Sequence, residues 1–62
     1  MELTDEQIKT VGNEVAKSWG SVYVGFEKKS DGIDFICNDW GVEFTVEVTN
    51  KELETDYKYC LQ

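Results

Sequence analysis

Histidine, arginine and proline are all absent from this sequence of 62 residues. Without histidine there is no imidazole for acid–base catalysis or a catalytic triad, and the usual ligands of a structural zinc site are missing. Without arginine or a glycine-rich phosphate loop there is no usual site for phosphoryl transfer. We therefore expect a protein that is not an enzyme and that holds neither a metal ion nor another cofactor.

Long apolar runs are also missing, and cysteine is scarce. No run approaches the roughly 18 residues of a membrane span, and Glu2, Asp5 and Glu6 place negative charge where a secretory leader carries positive charge. Cys37 and Cys60 lack the paired spacing of a zinc knuckle, so we interpret both as small buried hydrophobic residues without a disulfide bond. These features predict a cytoplasmic protein.

Negative charge dominates what is present, with thirteen carboxylates against six lysines and a net charge of −7. Proteins that bind nucleic acids neutralise phosphates with clustered lysine and arginine, and anionic membranes attract the same residues. We therefore expect neither direct nucleic-acid binding nor membrane binding. Apolar residues make up 40% of the chain, enough for a packed core, and the length suits a single domain over 1–62.

A first helix is predicted over 5–18. Thr4 is a suitable N-cap that can exchange hydrogen bonds with Gln7, and Gly20 can adopt the left-handed conformation that ends a helix. Gly12 lies inside this helix, where glycine costs about 1 kcal/mol relative to alanine. A close approach of the helix to a neighbouring strand would explain a glycine at this position. The apolar residues recur at helical spacing and are assigned to the core: Ile8, Val11, Val15 and Trp19.

From Ser21 onwards the hydrophobic period changes from helical to two, which predicts strands. In the first strand alternation turns Val22, Val24 and Phe26 inward and Tyr23, Gly25 and Glu27 outward. A tight hairpin at Asp31-Gly32 is predicted to set Phe26 opposite Cys37 and Lys29 opposite Asp34. A four-residue loop over 38–41 is predicted next, with Phe35 opposite Phe44. The third strand then turns four residues inward: Val42, Phe44, Val46 and Val48.

The last segment has two interpretations. Tyr57, Tyr59 and Leu61 alternate as in a strand, whereas the apolar residues from Leu53 onwards also recur at helical spacing. Thr49, followed by an acid three residues later, repeats the capping pattern of the first helix and favours a second helix over 50–61. The predicted fold is therefore α+β with the order αβββα, in which two helices cover one face of a three-stranded antiparallel sheet.

The open face of this sheet is the main functional candidate. No basic residue lies between Lys29 and Lys51, and the side chains predicted to project there are mostly acidic: Tyr23, Glu27, Asp34, Ile36, Glu43 and Glu47. One interpretation is a solvated face whose charges prevent strand-edge aggregation. The other is a docking surface, because a concentrated negative field steers a basic partner towards it.

Trp40, beside Asp39, occupies the predicted hairpin tip, where a turn gains little from an indole. It is either an exposed anchor for a protein interface or a lid folded back over the sheet edge. We expect the exposed arrangement, because the loop places the indole beyond the strand ends. Tyr59 is assigned to the outer side of the second helix, with the same two interpretations.

The predicted order αβββα is that of the double-stranded-RNA-binding domain, but Lys51-Glu52-Leu53-Glu54 stands where that family has a lysine cluster. In size, acidity and element order the chain also resembles small phage-encoded inhibitors, including some anti-CRISPR proteins. That resemblance covers most of the chain and rests on no shared motif. It implies a protein that acts in the host-cell cytoplasm and presents carboxylates as phosphate surrogates to a nucleic-acid-binding site.

The leading hypothesis is an acidic protein-binding module, an inhibitor or modulator that docks its sheet face on a basic surface of a partner protein. The alternative is a small structural module that forms homodimers through a strand edge or through exposed aromatic residues. The candidate partner-binding residues are Glu27, Asp34, Ile36, Asp39, Trp40, Glu43 and Glu47.

Overall fold

A computed structural model describes residues 3–61, so the charge noted at Glu2 lies outside the described residues. The elements follow in the order α1 (Asp5–Ser18), β1 (Val22–Lys28), β2 (Gly32–Asp39), β3 (Val42–Thr49) and α2 (Asn50–Thr55), and a short 3₁₀ helix (Lys58–Leu61) ends the described chain. The strands form one antiparallel sheet in the order β1-β2-β3. The predicted α+β class and αβββα order are confirmed.

Helix α1 begins and ends where the sequence predicts. The Gln7 amide donates to Thr4 Oγ1 at 3.1 Å, the Thr4 amide donates to Gln7 Oε1 at 2.9 Å, and Gly20 has a φ of 66°. The core assignment of Trp19 is wrong, because 62% of this residue is exposed. Since α1 ends at Ser18, Trp19 leaves the helical period, and its ring lies 6.0 Å from that of Phe44.

Strand β1 departs from strict alternation through a bulge. The register shifts between Tyr23 and Gly25, so Tyr23 pairs with Cys37 and Phe26 pairs with Phe35, both on the helix-covered face. The prediction that Tyr23 projects from the open face is therefore wrong, because the extra residue of the bulge reverses the pattern. Exposed fractions of 68% for Val22 and 51% for Val24 correct their inward assignment as well.

Gly12 accommodates the ring of Tyr23, which explains the glycine inside α1. A Cβ atom at Gly12 would overlap this ring. The centroids of the Tyr23 and Phe35 rings are 6.4 Å apart, and the ring planes are inclined at 58°. The expected close approach of α1 to a strand is confirmed, and its partner is the side chain that the bulge turns inward.

The first hairpin turns at Ser30-Asp31, not at Asp31-Gly32. The Lys29 amide donates to the Gly32 carbonyl at 2.8 Å, and Phe26 lies opposite Phe35, so the predicted pairings of Phe26 with Cys37 and of Lys29 with Asp34 are wrong. Gly32 does not have a positive φ and already belongs to β2. A Cβ atom there would overlap the Val48 carbonyl. Glycine is therefore required at this position by the close approach of β3 and not by the turn.

The second hairpin is a two-residue turn at Trp40-Gly41, with φ angles of 55° and 84°. Cys37 lies opposite Phe44, so the predicted four-residue loop and the pairing of Phe35 with Phe44 are wrong. Two consecutive positive φ angles match the twist of the flanking strands, which favours this short turn. The Gly41 amide donates to Asn38 Oδ1 at 3.0 Å and closes it.

The faces of β3 are as predicted, except that Val42 at its start is 65% exposed. Helix α2 starts with the predicted cap, in which the Glu52 amide donates to Thr49 Oγ1 at 3.2 Å. The predicted single helix over 50–61 is wrong in its second half, because α2 ends at Thr55 and a 3₁₀ helix follows. This tighter segment packs on the core through Cys60 and Leu61, and Tyr57 just before it is partly buried as well.

The core lies between the helices and one face of the sheet. Helix α1 packs mainly on β1, and α2 packs on β2 and β3. Cys37 is buried and Cys60 is partly buried, and both thiols are free. Burial raises the pKa of the Cys60 thiol. The contiguous buried cluster comprises Ile8, Val11, Val15, Ile33, Phe35, Val48 and Leu53.

Candidate protein-binding face

The strand registers bring three carboxylates into one row across the open face. Glu27 on β1 pairs with Asp34 on β2, and Asp34 pairs with Glu47 on β3. Glu43 lies on the same face and pairs with Asn38. We call Glu27, Asp34 and Glu47 the acidic row, and we use open face for the side of the sheet that the helices leave uncovered.

Lys29 partly neutralises one end of the acidic row. Its Nζ lies 3.2 Å from Glu27 Oε1 and 3.9 Å from Asp34 Oδ2, and these are the two ion pairs within residues 3–61. The hydrogen bond from Lys29 to Glu27, together with the charges of Glu27, Asp34 and Glu47, raises the pKa of Lys29. Because like charges directly opposite on adjacent strands repel, this lysine offsets a repulsion that the registers create.

The β3 side of the open face lacks such compensation. Glu43 and Glu47 are exposed, and neither forms an ion pair with another residue of the described chain. Asp34 is held more closely, with 22% of its side chain exposed. Within the described residues, the negative charge of the open face that no lysine pairs with therefore lies on β3.

Ile36 forms the apolar centre of the open face. It is partly buried and lies two positions along β2 from Asp34, where it pairs with Gly25 on β1 and with Thr45 on β3. Since glycine has no side chain and threonine a short one, Ile36 is the largest apolar group of these three. An apolar centre bordered by charged residues resembles the core and rim of protein interfaces.

Trp40 is exposed, as predicted, and the interpretation of a lid over the sheet edge is wrong. Its exposed fraction is 98%, compared with 68% for Val22, the next most exposed large hydrophobic residue within 3–61, and its φ is 55°. A bulky residue in the left-handed region is a conformational outlier. An indole that contacts almost nothing and adopts a costly backbone angle is a pointer to function. Asp39 beside it is exposed as well.

Sequence reasoning missed three further exposed apolar residues at this end of the sheet: Trp19, Val42 and, as noted above, Val22. Trp19 lies against Phe44, which is on the helix-covered face, and Val42 directly follows the Trp40-Gly41 turn. The helical spacing of Trp19 and the alternation of Val22 and Val42 indicated burial, so no sequence signal identified them. Tyr59, elsewhere on the molecule, is 61% exposed.

The described residues offer a surface rather than a cleft. A depression between α1, the first hairpin and α2 has a volume of about 110 Å³ and is lined by Leu3, Lys29 and Asn50 among others, whereas small-molecule sites usually enclose about 300–1,000 Å³. Within residues 3–61 no three cysteine, aspartate or glutamate side chains cluster closely enough to hold a metal ion. No helix in this part of the chain is long and apolar enough to cross a membrane.

Comparison with protein-family models, with curated proteins and with solved structures finds no match to this chain.

Proposed function

We propose that this protein is an acidic protein-binding module of the cytoplasm, an inhibitor or modulator that docks its open face on a basic surface of a partner protein. The acidic row is the observation that carries this proposal. Adjacent strands are about 4.8 Å apart, so the sheet fixes the spacing of the backbone positions that carry these carboxylates. A sheet that is already folded loses little backbone conformational freedom when a cationic surface binds it.

A nucleic-acid-binding site is one basic surface that fits the row. Such sites present clustered lysine and arginine to phosphates, and carboxylates can take the place of the phosphates. This is the mode of action that the resemblance to phage-encoded inhibitors implies. The net charge of −7 adds long-range attraction that accelerates encounter with a basic partner.

Ile36 and Trp40 would supply the apolar part of the interface. Charge pairs at a protein surface contribute mainly rate and specificity, whereas buried aromatic anchors carry much of the affinity. Trp40 projects from the end of the same hairpin that carries Glu43. A partner wide enough to cover the open face could therefore reach the indole as well, and Asp39 would lie at the edge of this contact.

A capture experiment with two matched charge reversals tests the proposal. The wild-type protein, a Glu43→Lys/Glu47→Lys variant and a Glu6→Lys/Glu54→Lys variant are each immobilised, incubated with host lysate and eluted with a salt gradient. Both variants change the net charge by the same amount, but Glu6 and Glu54 are exposed residues of α1 and α2. We expect the wild type and the helix variant to capture the same protein, which the β3 variant loses.

Circular dichroism provides the folding control, since exposed substitutions usually change stability by about 0.5 kcal/mol or less. If the β3 variant is folded and still captures the partner as strongly as the wild type, the open face is not the docking surface. If both variants lose the partner equally, net charge rather than the open face determines binding. Either result would reject the proposal.

Self-association is a second candidate, favoured by the apolar residues exposed at the second-hairpin end. Trp19, Trp40 and Val42 have exposed fractions of 62%, 98% and 65%. Small domains often gain stability by association, and an apolar self-interface survives or strengthens as ionic strength rises. Sedimentation at low and high salt distinguishes the two: a dimer that persists at high salt supports assembly, whereas a monomer at both supports the docking module.

A further inference from the structure

Strand β3 is an edge of the sheet with one side unpaired. The Asn50 amide donates to the Asp31 carbonyl at 2.8 Å, which extends the pairing of β3 with β2 beyond Thr49. Backbone groups of an antiparallel strand alternate between its two sides. The N–H and C=O groups of Glu43, Thr45 and Glu47 therefore point away from β2, and no other backbone within the described residues bonds to them.

The other edge of the sheet is less suited to pairing. Strand β1 contains the bulge between Tyr23 and Gly25, and it ends at Lys28 beside Lys29. Bulges and lysines are features that protect an edge from adding another strand. By contrast, β3 extends over eight residues with a continuous register and no proline.

In the register centred on Thr45, the charges on β3 disfavour a second copy of this chain as the added strand. An antiparallel pair of β3 strands centred on Thr45 would place Glu43 of each copy directly opposite Glu47 of the other. Like charges in directly opposite positions destabilise strand pairing. The same two glutamates would attract a strand that carries lysine or arginine at the facing positions.

We propose that β3 accepts an extended basic segment of the partner protein as a fourth strand of the sheet. This inference rests on the proposed function, in which the open face binds a basic partner, and it specifies how that partner binds. The main-chain groups of Glu43, Thr45 and Glu47 supply the hydrogen bonds, and the two glutamate side chains select basic residues. The added strand would lie next to Glu47, at the β3 end of the acidic row, and place its positive charges there.

The two faces of β3 define the side-chain pattern of this segment. Basic residues four positions apart face Glu43 and Glu47, and a small polar residue between them faces Thr45. The intervening two residues turn to the helix-covered face, where Phe44 and Val46 are partly buried at the sheet edge. Apolar residues fit there, so the segment alternates basic or polar residues with apolar ones.

Capped peptides provide a direct test by NMR titration. The probe is Ser-Lys-Val-Thr-Val-Lys-Ser, and one control replaces both lysines with glutamate. A second control replaces the central threonine with proline, which keeps the charge but removes a donor and disfavours a central strand. We expect each control to bind at least about tenfold more weakly than the probe.

Hydrogen exchange at the β3 amides gives a second readout. With the probe bound, the amides of Glu43, Thr45 and Glu47 should exchange about tenfold more slowly or slower still. The amides of Phe44 and Val46 already face β2 and serve as internal references.

The outcomes separate this inference from the function on which it rests. Equal binding of the probe and the proline control would reject strand addition while leaving charge-based docking intact. Failure of the probe itself to bind would reject strand addition, and the capture experiment would still test docking. Protection of the three amides that rises with protein concentration alone would assign the edge to a second copy and overturn the proposal.

Discussion

The two faces of the sheet differ in what their side chains do. Phe35 and Ile36 are neighbours on β2, yet Phe35 is fully buried in the core whereas Ile36 is only partly buried and lies among charged residues of the open face. One face stabilises the fold by removing apolar surface from water. The other keeps three carboxylates close together at some electrostatic cost.

This difference indicates that stability and binding can be altered separately. Substitutions on the helix-covered face should change the free energy of unfolding and leave the charge pattern intact. Substitutions on the open face should change binding and leave the free energy of unfolding nearly constant. The following variants test this separation.

The largest effect is expected for Phe35→Ala. Removing a buried aromatic ring costs about 3–5 kcal/mol, and a core of this size supplies about as much in total. Thermal denaturation followed by circular dichroism should show an unfolded or barely folded protein. The matched variant Ile36→Ala, one residue away on the other face, should remain folded; comparable losses from both variants would contradict the separation of the faces.

Gly32→Ala should be the next most disruptive change. A Cβ atom there overlaps the Val48 carbonyl, and overpacking of this kind typically costs about 1–3 kcal/mol. Gly25→Ala is the control, because a Cβ atom at that position meets nothing within 4 Å. Urea denaturation should place the midpoint of Gly32→Ala well below that of Gly25→Ala, and coincident midpoints would show that β3 does not pack closely on Gly32.

Trp40→Asn should stabilise the protein slightly and weaken binding. Asparagine tolerates the left-handed conformation, and Asn-Gly is the preferred pair for a two-residue turn of this type. We expect a gain of up to about 1 kcal/mol in the free energy of unfolding, because the left-handed conformation costs an ordinary residue roughly 1–2 kcal/mol and asparagine less. A loss of stability would mean that the indole contributes to the fold, and unchanged affinity for the captured partner would remove Trp40 from the interface.

The smallest effect concerns alkaline pH. Burial, then the charge of Asp5, raises the pKa of Tyr23 above its ordinary value of 10.0. The folded state therefore holds this proton after the unfolded state has lost it, so stability declines as pH rises from about 10 through the folded-state pKa. In urea denaturation at a series of pH values, Tyr23→Phe should reduce this decline and leave the free energy of unfolding at acidic pH unchanged. Tyr59 is exposed, so Tyr59→Phe should reduce the decline less.

Local signals made the helix starts predictable. The caps at Thr4 and Thr49 need only residues three positions away, and both formed as predicted. The inward assignment of Trp19 extended the helical period one residue beyond the correctly predicted end of α1. The second helix ended earlier than predicted, because its apolar spacing continues past Thr55. The bulge in β1 could not be predicted either, because the alternation of apolar and polar residues does not reveal an extra residue in one strand.

The strand registers were not predictable for a more general reason. Registers that differ by two residues place the same side chains on the same faces, so the hydrophobic pattern cannot distinguish them. Both predicted hairpins erred by this step, and the first would have set Glu27 beside Ile36. The faces of Glu27, Asp34 and Glu47 were therefore predicted, but the acidic row they form was not.

The central claim is that a basic partner binds the open face, and amide chemical-shift mapping of the labelled protein with the captured partner tests it most directly. We predict that the shifts that change cluster at Glu27, Asp34, Ile36, Glu43 and Glu47, with α1 unchanged, and that added salt weakens the affinity. Changes confined to α1 and α2, or an affinity that does not fall as salt rises, would contradict the account.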